Sequence, residues 1–536
     1  MGTRLRSVTS VIALLASSLL ALADIADAQL TDVTQTTPNV PGGAIGKSLE
    51  RQIGTGQGNI FTPGSSFYII ARDPGRAIRR GRQLFQRKFT ADQGVGPRVN
   101  DNSTGNIQNN PAFGAGLVDS CAGCHGRPRG AAGFGGDVAT RPDSRDAPHL
   151  FGLGLQEMLG DEITQDLRAI RTNAIQAATQ KQTTITLPLT SKGITYGFIR
   201  ALANGTVDTS LVQGVDPDLC VRPFFAHGGE FSIRAFAVGA FKDEMGLEVA
   251  DPFLCAANDP VHPITTRSPA GMVFNPALDK IKQPPVCDPN QDGDSDGVVN
   301  EIDPALLDYL EFYLLNYFKP GLGRLPKRAN NGTKVMEKIG CTVCHIQDLP
   351  IRKDRRVADV ETEYDPQRGI FNRLFATLTP LFGIVNDGQQ FPQLPPLEGP
   401  FLVRNIFTDF KRHDLGPAFH ERQYNGTLVQ MFMTEPLWGV GSTPPYGHDG
   451  RSVNLEEVIL RHGGEARASR DSFAALSDEQ KQTILEFLSA LIIFPPDDTA
   501  SNLNPGNPGT TNPQSPSEHG SIALSVLFQI PSEGPE

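Results

Sequence analysis

Two short strings bring reactive residue types together at a spacing that suits one chemistry: Cys121-Ala122-Gly123-Cys124-His125 and Cys341-Thr342-Val343-Cys344-His345. Both read C-x-x-C-H. Two thiols three positions apart can each form a thioether with one of the two vinyl groups of a single haem, and the histidine that follows then lies under the iron. A redox dithiol needs no histidine, and a zinc site wants a second Cys or His pair near each string, which the spacing does not supply. The strings therefore predict two covalently bound c-type haems, attached at Cys121, Cys124, Cys341 and Cys344, with His125 and His345 as proximal ligands.

The opposite face of each iron decides what it does. Two strong protein ligands make an electron-transfer centre, whereas an open position admits peroxide or oxygen. His413, His448, Met245, Met431 and Met433 are the side chains considered for that position. His413 and His448 lead, because both lie in Gly/Pro-rich loops after the second string.

A second constellation is Asp292-Gly293-Asp294-Ser295-Asp296-Gly297, continuing through Val298, Asn300 and Asp303. Read as a twelve-position calcium loop, Asp292, Asp294, Asp296, Val298, Asn300 and Asp303 fall on the ligand positions, and Gly297 sits near the sharp turn. So many carboxylates repel one another unless a hard cation neutralises them. Asp at the last position weakens bidentate ligation. The bland alternative is a solvated acidic turn. Three further cysteines, Cys220, Cys255 and Cys287, allow one disulfide in an oxidising compartment with one thiol left over.

The elements that position these residues are read from periodicity and capping. A helix is expected from about Pro74 to Phe85. An exposed polar helix is expected from Glu162 to about Lys181. Leu307, Leu310, Leu314 and Phe318 recur at helical spacing up to Pro320. Thr333 to Ile339 leads into the second string, and Ser477 with Gln480 forms a capping-box signature before Ile484, Phe487, Leu488 and Leu491. Residues 182–285 carry no clear pattern.

At 536 residues the chain exceeds one ordinary domain. A net charge of −11 argues against nucleic acid as a partner. Arg4 and Arg6, the apolar run from Val11 to Leu22 and Ala26-Asp27-Ala28 read as a cleaved export signal, hence a periplasmic protein with no membrane span after cleavage. The expected fold is mainly α, with two cytochrome c-like haem domains and long loop-rich insertions. In order, the expectation is a signal peptide (1–28), an arm (29–60), a first haem domain (61–286), the Asp-rich loop and its helix (287–325), a second haem domain (326–496) and a disordered tail (497–536).

Further segments carry a family resemblance: Leu150-Phe151-Gly152-Leu153-Gly154-Leu155-Gln156-Glu157, Gly239-Ala240-Phe241 to Met245-Gly246, and His413-Asp414-Leu415-Gly416-Pro417. The most specific run is Glu435-Pro436-Leu437-Trp438-Gly439-Val440-Gly441, then Pro444-Pro445-Tyr446-Gly447-His448-Asp449-Gly450-Arg451 and His462-Gly463-Gly464-Glu465-Ala466. From roughly Gly75 to Phe494 the chain resembles the di-haem oxidoreductases, sometimes labelled thiol oxidoreductases, which are related to bacterial di-haem cytochrome c peroxidases. The resemblance implies that the haem at His125 reacts with peroxide and that the haem at His345 relays electrons from a small periplasmic cytochrome or cupredoxin. It implies Glu157, with Gln156 beside it, as the carboxylate that moves a proton during peroxide cleavage. The peroxidases place a methionine ligand at the position of Gly447, so this chain departs from them there. Two other readings stand beside the peroxidase. One is a di-haem oxygenase or oxidase, in which Trp438 bridges or carries a radical. The other is a non-enzymatic electron-transfer cytochrome.

Overall fold

The computed structural model describes residues 49–493 apart from 91–92, 97–117, 127–131, 134, 136, 139–144, 282–285, 293–296, 318–320, 324, 362–376 and 424–425. The export signal, most of the arm, Phe318, Pro320, Asp294, Asp296 and the tail lie outside the described residues.

The chain is not mainly α, as the sequence suggested. It holds 36% helix and 15% strand in several small sheets, and cytochrome c domains are not shown. The physical reason is local. The helical pieces at the two strings are one turn each, Cys121–His125 (α3) and the 3-10 turn Cys341–Val343. The Gly/Pro-rich chain around them does not propagate helix. The unassigned stretch after residue 182 contains an antiparallel three-stranded sheet, Ile185–Ser191, Ile194–Ala201 and Val207–Asp208. Alternating burial along its first strand fits a half-covered face.

The helices that carry the first site begin at side-chain caps. Ser66–Arg72 (α1) is capped by Ser65, and Pro74–Gln86 (α2) starts where the Asp73 carboxylate accepts from the Arg76 N–H, with Pro74 in the first turn. Pro304–Leu315 (α7) repeats that device with Asp303 and Pro304, its cap accepting from the Ala305 N–H at 2.8 Å. Every residue of α7 from Ala305 to Leu315 is buried, so it is a central helix. It packs against α2 so closely that a Cβ on Gly81 would sit 2.1 Å from the Tyr309 carbonyl oxygen.

Leu153–Lys181 (α4) runs for 29 residues. The exposed helix expected from Glu162 is its outer half, and Leu153 to Gly160 are all buried. Gly154 lets this inner half approach α7, where a Cβ would lie 2.0 Å from the Leu315 carbonyl oxygen. Ile233–Ala240 (α5) leads into a π-turn, Phe241–Met245, and Pro252–Asn258 is α6. After the second string come Leu455–Arg461 (α9) and Asp478–Ser489 (α11), with Gly332–Lys338 (α8) before it and Arg467–Ala474 (α10) between them. The capping box at Ser477 and Gln480 is present as expected.

Cys255 and Cys287 form a disulfide, and Cys220 is buried with a free thiol. Burial pushes that thiol up to about 12, which keeps it protonated and inert.

Candidate haem-binding site

The first string occupies α3. The Ser120 hydroxyl accepts from the Gly123 N–H at 3.1 Å and starts the turn. This turn places His125 so that its Nδ1–H donates to the Pro148 carbonyl at 2.7 Å. Nδ1 therefore carries the proton, the tautomer in which imidazole ligates a metal through Nε2. The second string repeats the arrangement from a different partner: His345 Nδ1 donates to the Phe407 carbonyl at 3.0 Å. Burial holds His125 down at about 4 and lowers His345, so both are neutral, as ligation requires.

The carbonyls that orient the two histidines are themselves fixed. Tyr317, just past α7, accepts from the Ala132 N–H at 2.9 Å, and the Ala132 carbonyl in turn accepts from the Leu150 N–H. That holds the Pro148-His149 corner under His125. His149 takes the Phe151 N–H on Nδ1 at 3.2 Å and donates from Nε2 to the Trp438 carbonyl at 2.9 Å. One residue before Trp438, the Leu437 N–H donates to the Ile406 carbonyl, next to Phe407. A run of hydrogen bonds and peptide bonds thus ties the backbone behind one proximal histidine to the backbone behind the other.

The chemistry of the donors fits haem at both places. Cys121 and Cys341 keep part of their surface accessible, yet burial raises their thiols to about 12 and about 11. His125 and His345 are likewise half-buried. Trp438 is 2% exposed, and its indole N–H has no hydrogen-bond partner among the described residues. Such a buried donor costs about 1–3 kcal/mol unless something accepts from it, and a haem propionate would. Cys121, Cys124 and His125 would hold one haem and Cys341, Cys344 and His345 the other.

The remaining expected site residues are placed less simply. His413 presents Nδ1 to Glu465 at 2.9 Å and Nε2 to Asp409 at 3.0 Å. Although desolvation opposes it, hydrogen bonds to Asp409 and then Cys344 and Glu465 raise His413 to about 11. Both nitrogens of His413 thus face carboxylates, and it would have to leave one of them to ligate iron. Cys344, Asp409 and His413 also form a group compact enough to hold a metal ion, but only if His413 gives up a carboxylate. His448 lies flat on Phe432, ring centroids 4.0 Å apart, with Glu421 3.9 Å from Nε2, and burial lowers it to about 4.

Glu157 is 2% exposed, and both of its oxygens are engaged. Oε1 accepts from Arg355 at 2.7 Å and Oε2 from the Ile233 N–H at 2.6 Å. Arg355 also meets Asp161 at 3.2 Å. Burial raises both carboxyls, against the shared guanidinium. Glu157 therefore ties α4 to α5 and to the chain at Arg355, and the proton shuttle expected of it is not what this geometry offers. Gln156 is buried beside it. Met245 and Met433 are packed in apolar clusters and Met431 is exposed.

In the Asp-rich loop, Asp292 accepts from the Gly297 N–H at 3.0 Å. Asn300 accepts from the Ala250 N–H at 2.8 Å, and Asp303 caps α7. Three oxygens that the calcium reading assigns to a cation thus already serve the backbone.

A family model described as di-haem oxidoreductase, putative peroxidase, matches residues 396–491. Over this stretch the chain is similar to the di-haem oxidoreductases. No match was found among curated proteins. The stretch resembling the di-haem oxidoreductases contains His413, Glu435, Trp438, His448 and His462, while both C-x-x-C-H strings lie before it.

Sequence reasoning missed several residues of the site. His149 gave no signal, because its partner is 289 positions away. Glu244, on the π-turn, is the carboxylate whose charge raises Cys124 alongside burial, and π-turns recur at functional sites. Glu435 opens the most specific motif. Its side chain is exposed, although the protein packed around it raises its carboxyl to about 7.

Proposed function

We propose that this chain is an exported di-haem c-type oxidoreductase of the peroxidase kind, with one haem attached at each C-x-x-C-H string. The observation that carries the reading is that both string histidines donate Nδ1–H to a backbone carbonyl and so present a neutral Nε2 beside paired thiols. When bound, the haem at His125 supplies peroxide reduction and the haem at His345 supplies electron relay from a small cytochrome or cupredoxin. The Cys255–Cys287 disulfide supports an oxidising compartment such as the periplasm.

The chain's own residues then have separable tasks. His125 and His345 hold iron through Nε2. Glu435, with a carboxyl raised to about 7, can take or give a proton near neutrality, the work that peroxide cleavage asks of a side chain. His149 holds the Pro148 carbonyl under His125 by anchoring its neighbour to Trp438. Among the described residues no helix is long and apolar enough to cross a membrane.

The test is expression with a working haem-attachment system. Intact mass should exceed the polypeptide by two haems, and adding peroxide to the reduced protein should oxidise it within the mixing time. A purified chain without added haem mass sinks the proposal. Two haems that ignore peroxide leave the electron-transfer reading in its place.

A further inference from the structure

The nine histidines among the described residues differ sharply in what their ring nitrogens do. His149 and His413 have both nitrogens occupied. His420 bonds Asp414 through Nε2 at 2.8 Å, His227 meets Arg145 through Nδ1, and His262 is exposed. His448 rests flat on Phe432. Among the described residues only His125, His345 and His462 donate Nδ1–H to a backbone carbonyl, with a second backbone contact from Gly133 to His125 and from Ile459 to His462. For His462 the acceptor is the Val458 carbonyl at 2.7 Å.

His462 also stands at the second string. It follows α9, whose Leu455 and Ile459 belong to the apolar cluster that contains Phe407 and Cys341. On its other side Glu465 bonds His413, which shares a compact group with Cys344. Leu455 and Ile459 thus share a cluster with Cys341, Glu465 connects to Cys344 through His413, and the charge of His345 disfavours that of His462. The ring is held in place. Arg461 pairs with Asp449 at 2.7 Å, donates to the Ala418 carbonyl and stacks on Phe419 at 4.4 Å. The Gly463 N–H donates to the Leu415 carbonyl, and Phe419 meets the His462 ring edge-on at 5.4 Å.

We propose that His462 Nε2 is the second protein ligand of the iron carried by His345, so that this iron is closed by two imidazoles. The proposal rests on the haem attachment argued above. It closes the second iron to exogenous ligands and leaves peroxide binding to the first.

The experiment uses the haem-loaded full chain with His462→Gly and His462→Met, and intact mass is measured first. A sample lacking haem refutes the attachment and hence the proposed function, and is distinguishable from any result below. Electron paramagnetic resonance and near-infrared magnetic circular dichroism of the wild type should show one bis-imidazole low-spin haem. In His462→Gly that signal should be lost to a high-spin one and return on adding imidazole. In His462→Met it should give way to a His/Met charge-transfer band. His413→Asn and His448→Asn should keep the bis-imidazole signal. A wild type without that signal, its persistence in both His462 variants, or its loss in the His413 or His448 variant overturns the assignment. Should His462→Gly fail to fold, the methionine variant decides.

Discussion

Replacing Arg234 by Met tests whether the scaffold behind the first site is held by charge. Arg234 is fully buried on α5. It donates to Asp251 and reaches Asp308 and Glu311 of α7 at 2.8 Å each. Ser66 and Gln57 add hydrogen bonds to Asp308, and Ser268 to Glu311. One guanidinium therefore serves three buried carboxyl groups, and burial raises Asp308 to about 6 and Glu311 to about 7. Removing one partner of a buried ion pair costs about 3–5 kcal/mol, because the other charge is left unpaired. At roughly 2 °C per kcal/mol, the Arg234→Met midpoint should fall by about 6–10 °C at pH 8. Asp308 and Glu311 hold their protons more tightly folded than unfolded. The stability tied to them is therefore full below their unfolded values near 4 and lost as pH rises through 6 to 7. At pH 5.5 both are largely protonated and need the guanidinium less, so the variant's loss should shrink by on the order of 2 kcal/mol. Scanning calorimetry of wild type and variant at both pH values measures this. Equal losses at the two pH values, or a loss below about 2 °C at pH 8, would falsify the charge argument.

The other predictions concern the site and its supports. His149→Phe removes the bond to the Trp438 carbonyl. It should cost about 1–2 kcal/mol and change the optical spectrum of the first haem more than that of the second, read by difference spectroscopy against wild type. Glu435→Gln should leave the midpoint unchanged at pH 4 and raise it slightly at pH 8, since the stability tied to the protonated wild-type carboxyl is lost as pH rises from its unfolded value near 4.5 to about 7. If Glu435 handles the proton, the peroxide-dependent rate should also drop and lose its ionisation near 7, and an unchanged pH–rate profile would exclude it. Cys255→Ser opens a disulfide that spans 32 positions and should lower stability by about 3–4 kcal/mol, seen as increased susceptibility to protease. Ser477→Ala removes a capping box and should cost about 1 kcal/mol, a loss that Ser477→Asp should largely avoid.

Features written in neighbouring residues could be read in advance. Asp73-Pro74, Asp303-Pro304 and Ser477 with Gln480 each start a helix through contacts three residues long or less, and all three starts are present. The inner half of α4 was hidden because Leu153 to Gly160 are buried on all sides and leave no polar face to set a period. The sheet after residue 184 was obscured by Pro188, at the irregularity in its register, and by Gly197 at φ +79°. The ion pairing of Glu157 could not be read in advance because its partners, Arg355 and the Ile233 N–H, lie 198 and 76 positions away. The fold class failed for a related reason. Helical pieces at a C-x-x-C-H string are short enough for the chain between them to choose strand or loop.

The same separation kept His462 from being weighed as a ligand for the second iron. Gly447 has φ +85°, and a Cβ there would lie 2.8 Å from Asp449 Oδ1 and 3.1 Å from an Arg461 guanidinium nitrogen. Any side chain at 447 would have to displace the Asp449–Arg461 pair, so the loop cannot present a methionine without being rebuilt. That pair instead clamps the C-terminal end of α9 and fixes the residue after it, His462. The glycine at 447 thus makes room for the ion pair that precedes His462, the ligand proposed for the second iron. Adjacent residues in sequence report the absent methionine, whereas this arrangement is visible only once residues 447, 449, 461 and 462 are seen side by side.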